Sequence, residues 1–220
     1  SIGLVGSEMC IRDRNKEYPI YTRKFMNLEA EEEVLIDVNE LAKDYEYYQV
    51  SGISISPDNK KMAFGVDTLS RRIYTIKVKD LITGKMYPDK IDGVNSYTTW
   101  ASDSQTMFYT GKDKQTLRSD KIFRHILGES QDDDTLVYEE NDETFSTFVY
   151  PSKSREYIMI GSTSTMATEY RFLSSKTPFD AFKIIQKRER GLEYSPSQVD
   201  DMFYILTCLL YTSPSPRDRS

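Results

Sequence analysis

One motif recurs four times along the chain of 220 residues, and it constrains the fold more than any other feature. Each copy contains a short strand, a polar turn and a strand rich in aromatic and aliphatic residues. The residues that anchor the copies are 45, 50 and 46 positions apart, and they are Met62, Met107, Tyr157 and Phe203. A period in the forties, with strands and no long helix, is typical of β-propeller blades.

The first repeat contains the four strands expected of one blade. Residues 50–56 and 62–66 flank a polar turn, and residues 73–78 alternate between apolar and polar side chains. A short outer strand over 86–91 completes the set. We therefore predict an all-β fold, a partial β-propeller over residues 46–207 with about three four-stranded blades plus the start of a fourth.

The stretch before the first blade has a different pattern. Residues 15–45 predict two lead-in strands, over 18–25 and 33–37, and a short helix over 38–43. Asp37 or Asn39 is the candidate N-cap of that helix.

A β-sandwich or barrel remains open from periodicity alone, because sandwich strands also recur at short intervals. Strand order separates these folds. Propeller blades pair sequential strands as meanders, whereas sandwiches use Greek-key crossings.

The two ends differ in composition from the rest of the chain. One DNA sequence encodes residues 4–13, and nearly its exact reverse complement encodes residues 208–218. Both segments therefore resemble translated sequencing adapter, and we exclude 1–14 and 208–220 from the fold as adapter-like artefacts. We expect them to make few core contacts. Both cysteines, Cys10 and Cys208, lie in these segments, so no redox compartment can be argued.

Composition excludes several functional classes. The net charge of −6 gives no electrostatic case for nucleic-acid binding. No stretch approaches the roughly 18 apolar residues of a membrane helix. Two cysteines cannot form a disulfide framework or a structural zinc site. The chain lacks a phosphate loop and a Gly-x-Gly-x-x-Gly motif, so we expect no cofactor and no metal.

An ordered series of motifs runs through the repeats. It comprises YPIY at 18–21, EEVLIDVNELA at 32–42, SPD at 56–58, DLITG at 80–84, TLR at 116–118, RHILG at 124–128 and VYEE at 137–140. The series resembles the N-terminal part of the prolyl oligopeptidase family of serine peptidases, in its oligopeptidase B (protease II) branch. One departure concerns residues 70–72, where Ser-Arg-Arg stands in place of a Gly-x-Glu pattern, so no ion pair of that glutamate is carried over.

The resemblance implies a two-part enzyme. A seven-bladed propeller covers an α/β-hydrolase domain that carries a Ser-Asp-His triad, and the propeller restricts access to short peptides. The branch cleaves after Lys or Arg. This chain would supply the gating propeller of a serine oligopeptidase and would be inactive alone. Its partners would be the hydrolase domain of the same parent chain and short basic peptides. The alternative is a non-catalytic propeller used for binding, and the compartment stays open between cytoplasm and periplasm.

No residue qualifies as catalytic. A nucleophile elbow needs Gly-x-Ser-x-Gly, and residues 161–165 fail at the last position. His125 is the only histidine, and it lies in a predicted blade strand. We interpret it as hydrogen-bonded within the propeller and not as the base of a triad.

Three further features have an ordinary structural interpretation. The acidic run 132–134 lacks the spacing of a calcium loop and predicts a solvated connection between blades. The run 31–33 predicts an exposed turn. Trp100, the only tryptophan, could line a ligand surface, but its place beside a turn of the repeat favours packing between blades.

Overall fold

The computed structural model describes residues 9–11, 17–24, 29–199 and 202–208. The lead-in segment forms a three-stranded antiparallel sheet followed by one helical turn. Its elements are β1 (Met9–Ile11), β2 (Ile20–Lys24), β3 (Glu32–Asp37) and α1 (Val38–Leu41). Asp37 is the N-cap, because its carboxylate accepts a hydrogen bond from the backbone N–H of Asn39 at 3.0 Å.

The first two blades share one continuous sheet of seven strands. These strands are β4 (Gln49–Ile55), β5 (Lys61–Asp67), β6 (Tyr74–Asp80), β7 (Met86–Trp100), β8 (Thr106–Lys112), β9 (Ser119–Ile126) and β10 (Thr135–Glu139). The beginning of β7 pairs with β6 and its end pairs with β8. The outer strand predicted over 86–91 and the first strand of the next blade are thus a single strand. A 3-10 turn, Gln131–Asp133, connects β9 to β10.

The remaining strands form a complete third blade and a hairpin. They are β11 (Ser146–Pro151), β12 (Tyr157–Thr163), β13 (Thr168–Ser174), β14 (Lys183–Gln186), β15 (Glu193–Val199) and β16 (Met202–Cys208). Within each blade, neighbouring strands are sequential and antiparallel. This meander order excludes the Greek-key sandwich and confirms the predicted partial propeller.

The polar turn of the repeat has the same backbone geometry in three blades. Ser56, Ala101 and Ser152 each donate a backbone hydrogen bond to a carbonyl five residues later. The residue three positions into each turn has positive φ, and these residues are Asn59, Ser104 and Arg155. The third copy therefore aligns on Ile158, and the anchor at Tyr157 is wrong by one residue.

The core lies between the blades. Strand β5 is buried on both faces, since Met62 and Phe64 pack against the lead-in segment while Ala63 packs against the second blade. In β8, Met107 faces the first blade and Phe108 faces the third. Successive blades therefore bury apolar surface face to face, as the propeller requires.

The terminal segments contribute two short pairings to this fold. Residues 9–11 pair with β2, and Cys208 pairs with Glu193 at the end of β16. The rest of 1–14 and of 208–220 lies outside the described residues, so the adapter hypothesis stays a prediction. Among the helices in the described part of the chain, none is long and apolar enough to cross a membrane.

Candidate functional site

The candidate functional surface is the inner wall, formed by the first strand of each blade. These strands surround the central channel in a propeller. Here they are β4, the end of β7 (residues 94–100), β11 and β15. Their sequences contain hydroxyl, amide and aromatic side chains, and Glu193 is their only charged residue. The inner wall is therefore almost uncharged.

Two glycines hold the inner strands of the first two blades in close contact. A Cβ on Gly52 would lie 2.1 Å from the carbonyl oxygen of Ser96. A Cβ on Gly65 would lie 2.7 Å from the Cα of Ser96. Gly52 also has φ of +67°, which favours glycine. The backbone at Ser96 therefore packs against β4 and β5. The next residue, Tyr97, is 63% exposed.

Trp100 packs between the blades, as its place beside a turn of the repeat predicts. Its indole N–H donates to the carbonyl oxygen of Ser54 at 3.1 Å, and its ring is buried with Ile91 and Met107. It also lines a cavity between the inner strands. The packing role and the ligand-facing position are therefore compatible.

His125 lies in a buried polar cluster of the second blade. Its Nδ1 is 2.6 Å from Asp134 Oδ1, and its Nε2 is 3.0 Å from Asp89 Oδ1. Burial lowers the pKa of the imidazole, but the hydrogen bonds and charges of the two aspartates outweigh burial and raise the pKa above 6.5. Because both ring nitrogens face carboxylates, His125 joins β7 and β9 and is not a free general base.

The acidic run 132–134 requires two corrections. It connects β9 to β10 within the second blade and does not connect two blades. Asp132 and Asp133 are exposed, but the side chain of Asp134 is only 3% exposed. Besides His125, it accepts a hydrogen bond from the hydroxyl of Tyr109 at 2.6 Å. The solvated interpretation is wrong for Asp134, because the imidazole of His125 and the hydroxyl of Tyr109 compensate the burial of its carboxylate. Within the described residues, no group of three or more acidic, histidine or cysteine side chains is arranged for a metal ion.

A second polar cluster centres on the half-buried Arg188, which pairs with two buried glutamates and which the sequence did not single out. The guanidinium contacts Glu140 with both terminal nitrogens, at 2.6 and 3.2 Å, and Glu169 at 3.1 Å. Glu169 also pairs with Arg171 at 2.5 Å. Tyr138 donates to Glu140 at 2.6 Å. The VYEE motif contains two of these residues, Tyr138 and Glu140, but its sequence gives no indication of their partners.

This Arg188 cluster joins three parts of the propeller. Glu140 follows the outer strand of the second blade, Glu169 lies in β13, and Arg188 lies between β14 and β15. Burial raises the pKa of each glutamate, but Arg188 and the neighbouring donors outweigh it and lower the pKa of both. The cluster therefore holds neighbouring blades together through charges that persist at neutral pH.

The structure also shows where the acidic run 31–33 and residues 161–165 lie. Glu31 is exposed, but Glu32 and Glu33 begin β3, where Glu33 pairs with Arg23 at 2.7 Å. The predicted exposed turn is thus wrong for the last two residues, because cross-strand partners extend the strand. Gly161 lies inside β12 beneath the ring of Phe148, so residues 161–165 do not form a nucleophile elbow.

Comparisons with known proteins agree with this architecture. Residues 10–209 match the family described as prolyl oligopeptidase, N-terminal beta-propeller domain. The chain belongs to the prolyl oligopeptidase family. A dipeptidyl aminopeptidase BI of Pseudoxanthomonas mexicana is 34% identical over 87% of this chain, and a protease 2 of Moraxella lacunata is 32% identical over 89%.

Solved structures of the family have the same fold. Oligopeptidase B from Leishmania major superposes with a TM-score of 0.83 at 33% identity over 88% of this chain. Oligopeptidase B from Trypanosoma brucei superposes with a TM-score of 0.79 at 24% identity over 92% of this chain, and this similarity supports the fold alone. The chain spans only 28–30% of the length of these four proteins.

Proposed function

We propose that the chain is the substrate-gating propeller part of a serine oligopeptidase that cleaves short peptides after Lys or Arg. The observation that carries this proposal is the set of stacked blades with a nearly uncharged inner wall, in a chain of a peptidase family. Such a wall would admit narrow, flexible peptides without trapping them by charge. Folded proteins would be excluded by size.

The hydrolase domain is the proposed partner of this propeller within one parent chain. The described residues provide no Ser-His-Asp arrangement, since the single histidine is held between two aspartates. The chain alone is therefore proposed to be inactive. Gating is consistent with the position of Tyr97, whose exposed ring lies on the inner wall.

Activity measurements test this proposal. The product of the complete locus should cleave a short N-blocked peptide after Arg, and should leave the same sequence intact inside a folded protein. The 220-residue chain alone should cleave neither. Release of dipeptides from free N-termini, without cleavage of the blocked peptide, would contradict the proposed Lys/Arg specificity.

A variant of the inner wall tests gating separately. Tyr97→Ser in the complete enzyme should increase cleavage of longer peptides relative to short ones, because it removes an exposed ring from the wall. Leu69→Ser is the matched control, since Leu69 is similarly exposed but lies in the loop between β5 and β6 and in none of the inner strands. An equal effect of both variants would contradict gating at Tyr97.

A further inference from the structure

A cavity of about 230 Å³ lies between the inner strands of the first two blades and the end of β11. Its walls include Tyr97, Trp100, Pro57 and Pro151, which provide flat apolar surfaces. Pockets of this kind bind small ligands through apolar walls and a few polar groups. The volume is suited to one or two amino-acid residues.

Two buried threonines belong to the wall of this cavity, but their hydroxyl oxygens do not open into it. Thr98 and Thr99 both line the cavity and are 6% and 2% exposed. Neither Oγ1 has a hydrogen-bond partner within the described protein. Because almost no surface of either oxygen is accessible, neither hydroxyl is open to a ligand in the cavity. The two threonines therefore only close the wall, and the binding groups of the cavity are its apolar walls and Arg155.

One cation lines the same cavity. Arg155 is the only charged residue among those that line it, and it lies in the exposed turn between β11 and β12. Its guanidinium has no ion-pair or hydrogen-bond partner in the described part of the chain, and only its backbone is bonded, to Ser152 and Ser175. A planar guanidinium pairs with a carboxylate through two parallel hydrogen bonds.

We propose that this cavity is a subsite for the C-terminal end of a short peptide, with Arg155 binding the terminal carboxylate. The apolar walls would hold the last side chain. The site would bind the free C-terminus at the edge of the inner wall, where the turn between β11 and β12 adds a cation that the inner strands lack. This inference rests on the proposed function, since it assumes that peptides reach the channel.

The single tryptophan makes the site directly measurable, because Trp100 lines it. N-acetyl-dialanine and its C-terminal amide are titrated into the 220-residue chain at low concentration while tryptophan fluorescence is recorded. The acid should bind at least tenfold more tightly than the amide. Equal binding of the two compounds, or binding of neither, would overturn the proposal.

Substitutions test whether Arg155 is the residue that binds the terminal carboxylate. Arg155→Gln should reduce binding of the acid to the level of the amide, and Arg155→Lys should restore part of it. Lys153→Gln is the matched control, because Lys153 lies in the same exposed turn but does not line the cavity. Circular dichroism verifies that each variant is folded. Unchanged binding in Arg155→Gln, or equal loss in Lys153→Gln, would overturn the assignment.

Peptidase activity of the complete enzyme is measured independently, so loss of this subsite and failure of the proposed function are distinguishable.

Discussion

At the scale of single residues, the contact between Gly52 and Ser96 has a testable consequence. Gly52→Ala places a methyl group against a backbone oxygen at a positive φ, so we expect a loss of about 3 kcal/mol in the free energy of unfolding. Gly93→Ala is the control, because Gly93 also has positive φ but no atom lies within 4 Å of its added Cβ. Chemical denaturation should show a loss of only about 1 kcal/mol there. Equal losses would contradict a steric contact.

The single histidine gives a second prediction at this scale. Its pKa is raised in the folded chain, so its contribution to stability is fully present below its unfolded value of 6.5 and is lost as pH rises through the folded pKa. One imidazole signal is expected in the NMR spectrum, with a midpoint above 6.5. A midpoint at or below 6.5 would contradict the double pairing with Asp89 and Asp134.

At the scale of elements, the Arg188 cluster should control how neighbouring blades hold together. Arg188→Met leaves Glu140 and Glu169 buried without this cation, so we expect a loss of about 3 kcal/mol in denaturation experiments. Arg190→Met, two residues away at an exposed position, should change stability by less than about 0.5 kcal/mol. Similar effects of the two substitutions would contradict the bridging role of Arg188.

The same cluster predicts acid sensitivity. The pKa values of Glu140 and Glu169 are lowered, so their stabilising contribution is present above the ordinary glutamate value of 4.5 and is lost as pH falls through the lowered values. The melting temperature should therefore fall below pH 4.5. Arg188→Met should show a weaker fall, because Glu140 loses its cation and Glu169 keeps only Arg171. An unchanged slope would contradict this origin.

Most strands could be predicted from the sequence, because alternating side chains and polar turns mark each blade. Strand β7 could not be predicted as one element. Pro88 and Gly93 look like strand breaks, but register shifts between β7 and its two neighbours accommodate them within a bent strand. The third repeat was misaligned by one residue because Tyr157 is followed by several similar apolar residues.

The polar clusters could not be predicted for a different reason. Asp89 is 36 residues from His125, and Glu140 is 48 residues from Arg188. Only the stacking of blades brings such residues together, and no local sequence pattern indicates which residues will pair. The inner wall could be predicted as strands, but its cavity depends on the close approach of Ser96 to Gly52.

At the scale of the whole molecule, the last hairpin exposes apolar surface. Strand β16 pairs only with β15 among the described strands, and Leu206 is 78% exposed. An unpaired apolar edge favours association with other chains. We expect the 220-residue chain to self-associate with rising concentration in sedimentation experiments.

Charge substitutions test whether the edge strand β16 causes the self-association. Leu206→Lys should reduce self-association, because a lysine on an edge strand opposes pairing. Leu69→Lys, at a position 73% exposed outside the hairpin, should leave self-association unchanged. A monomer at every concentration, or equal effects of the two variants, would contradict the role of β16.

Sequencing of the locus, from source DNA, across both ends of the chain shows whether this propeller belongs to a peptidase. We predict that the reading frame continues from Thr207 into further blades and a hydrolase domain with a Gly-x-Ser-x-Gly elbow, and that residues 208–220 are absent from the genome. A genomic sequence that encodes residues 208–220 followed by a stop codon would contradict it. The chain would then be a short propeller protein without a catalytic domain.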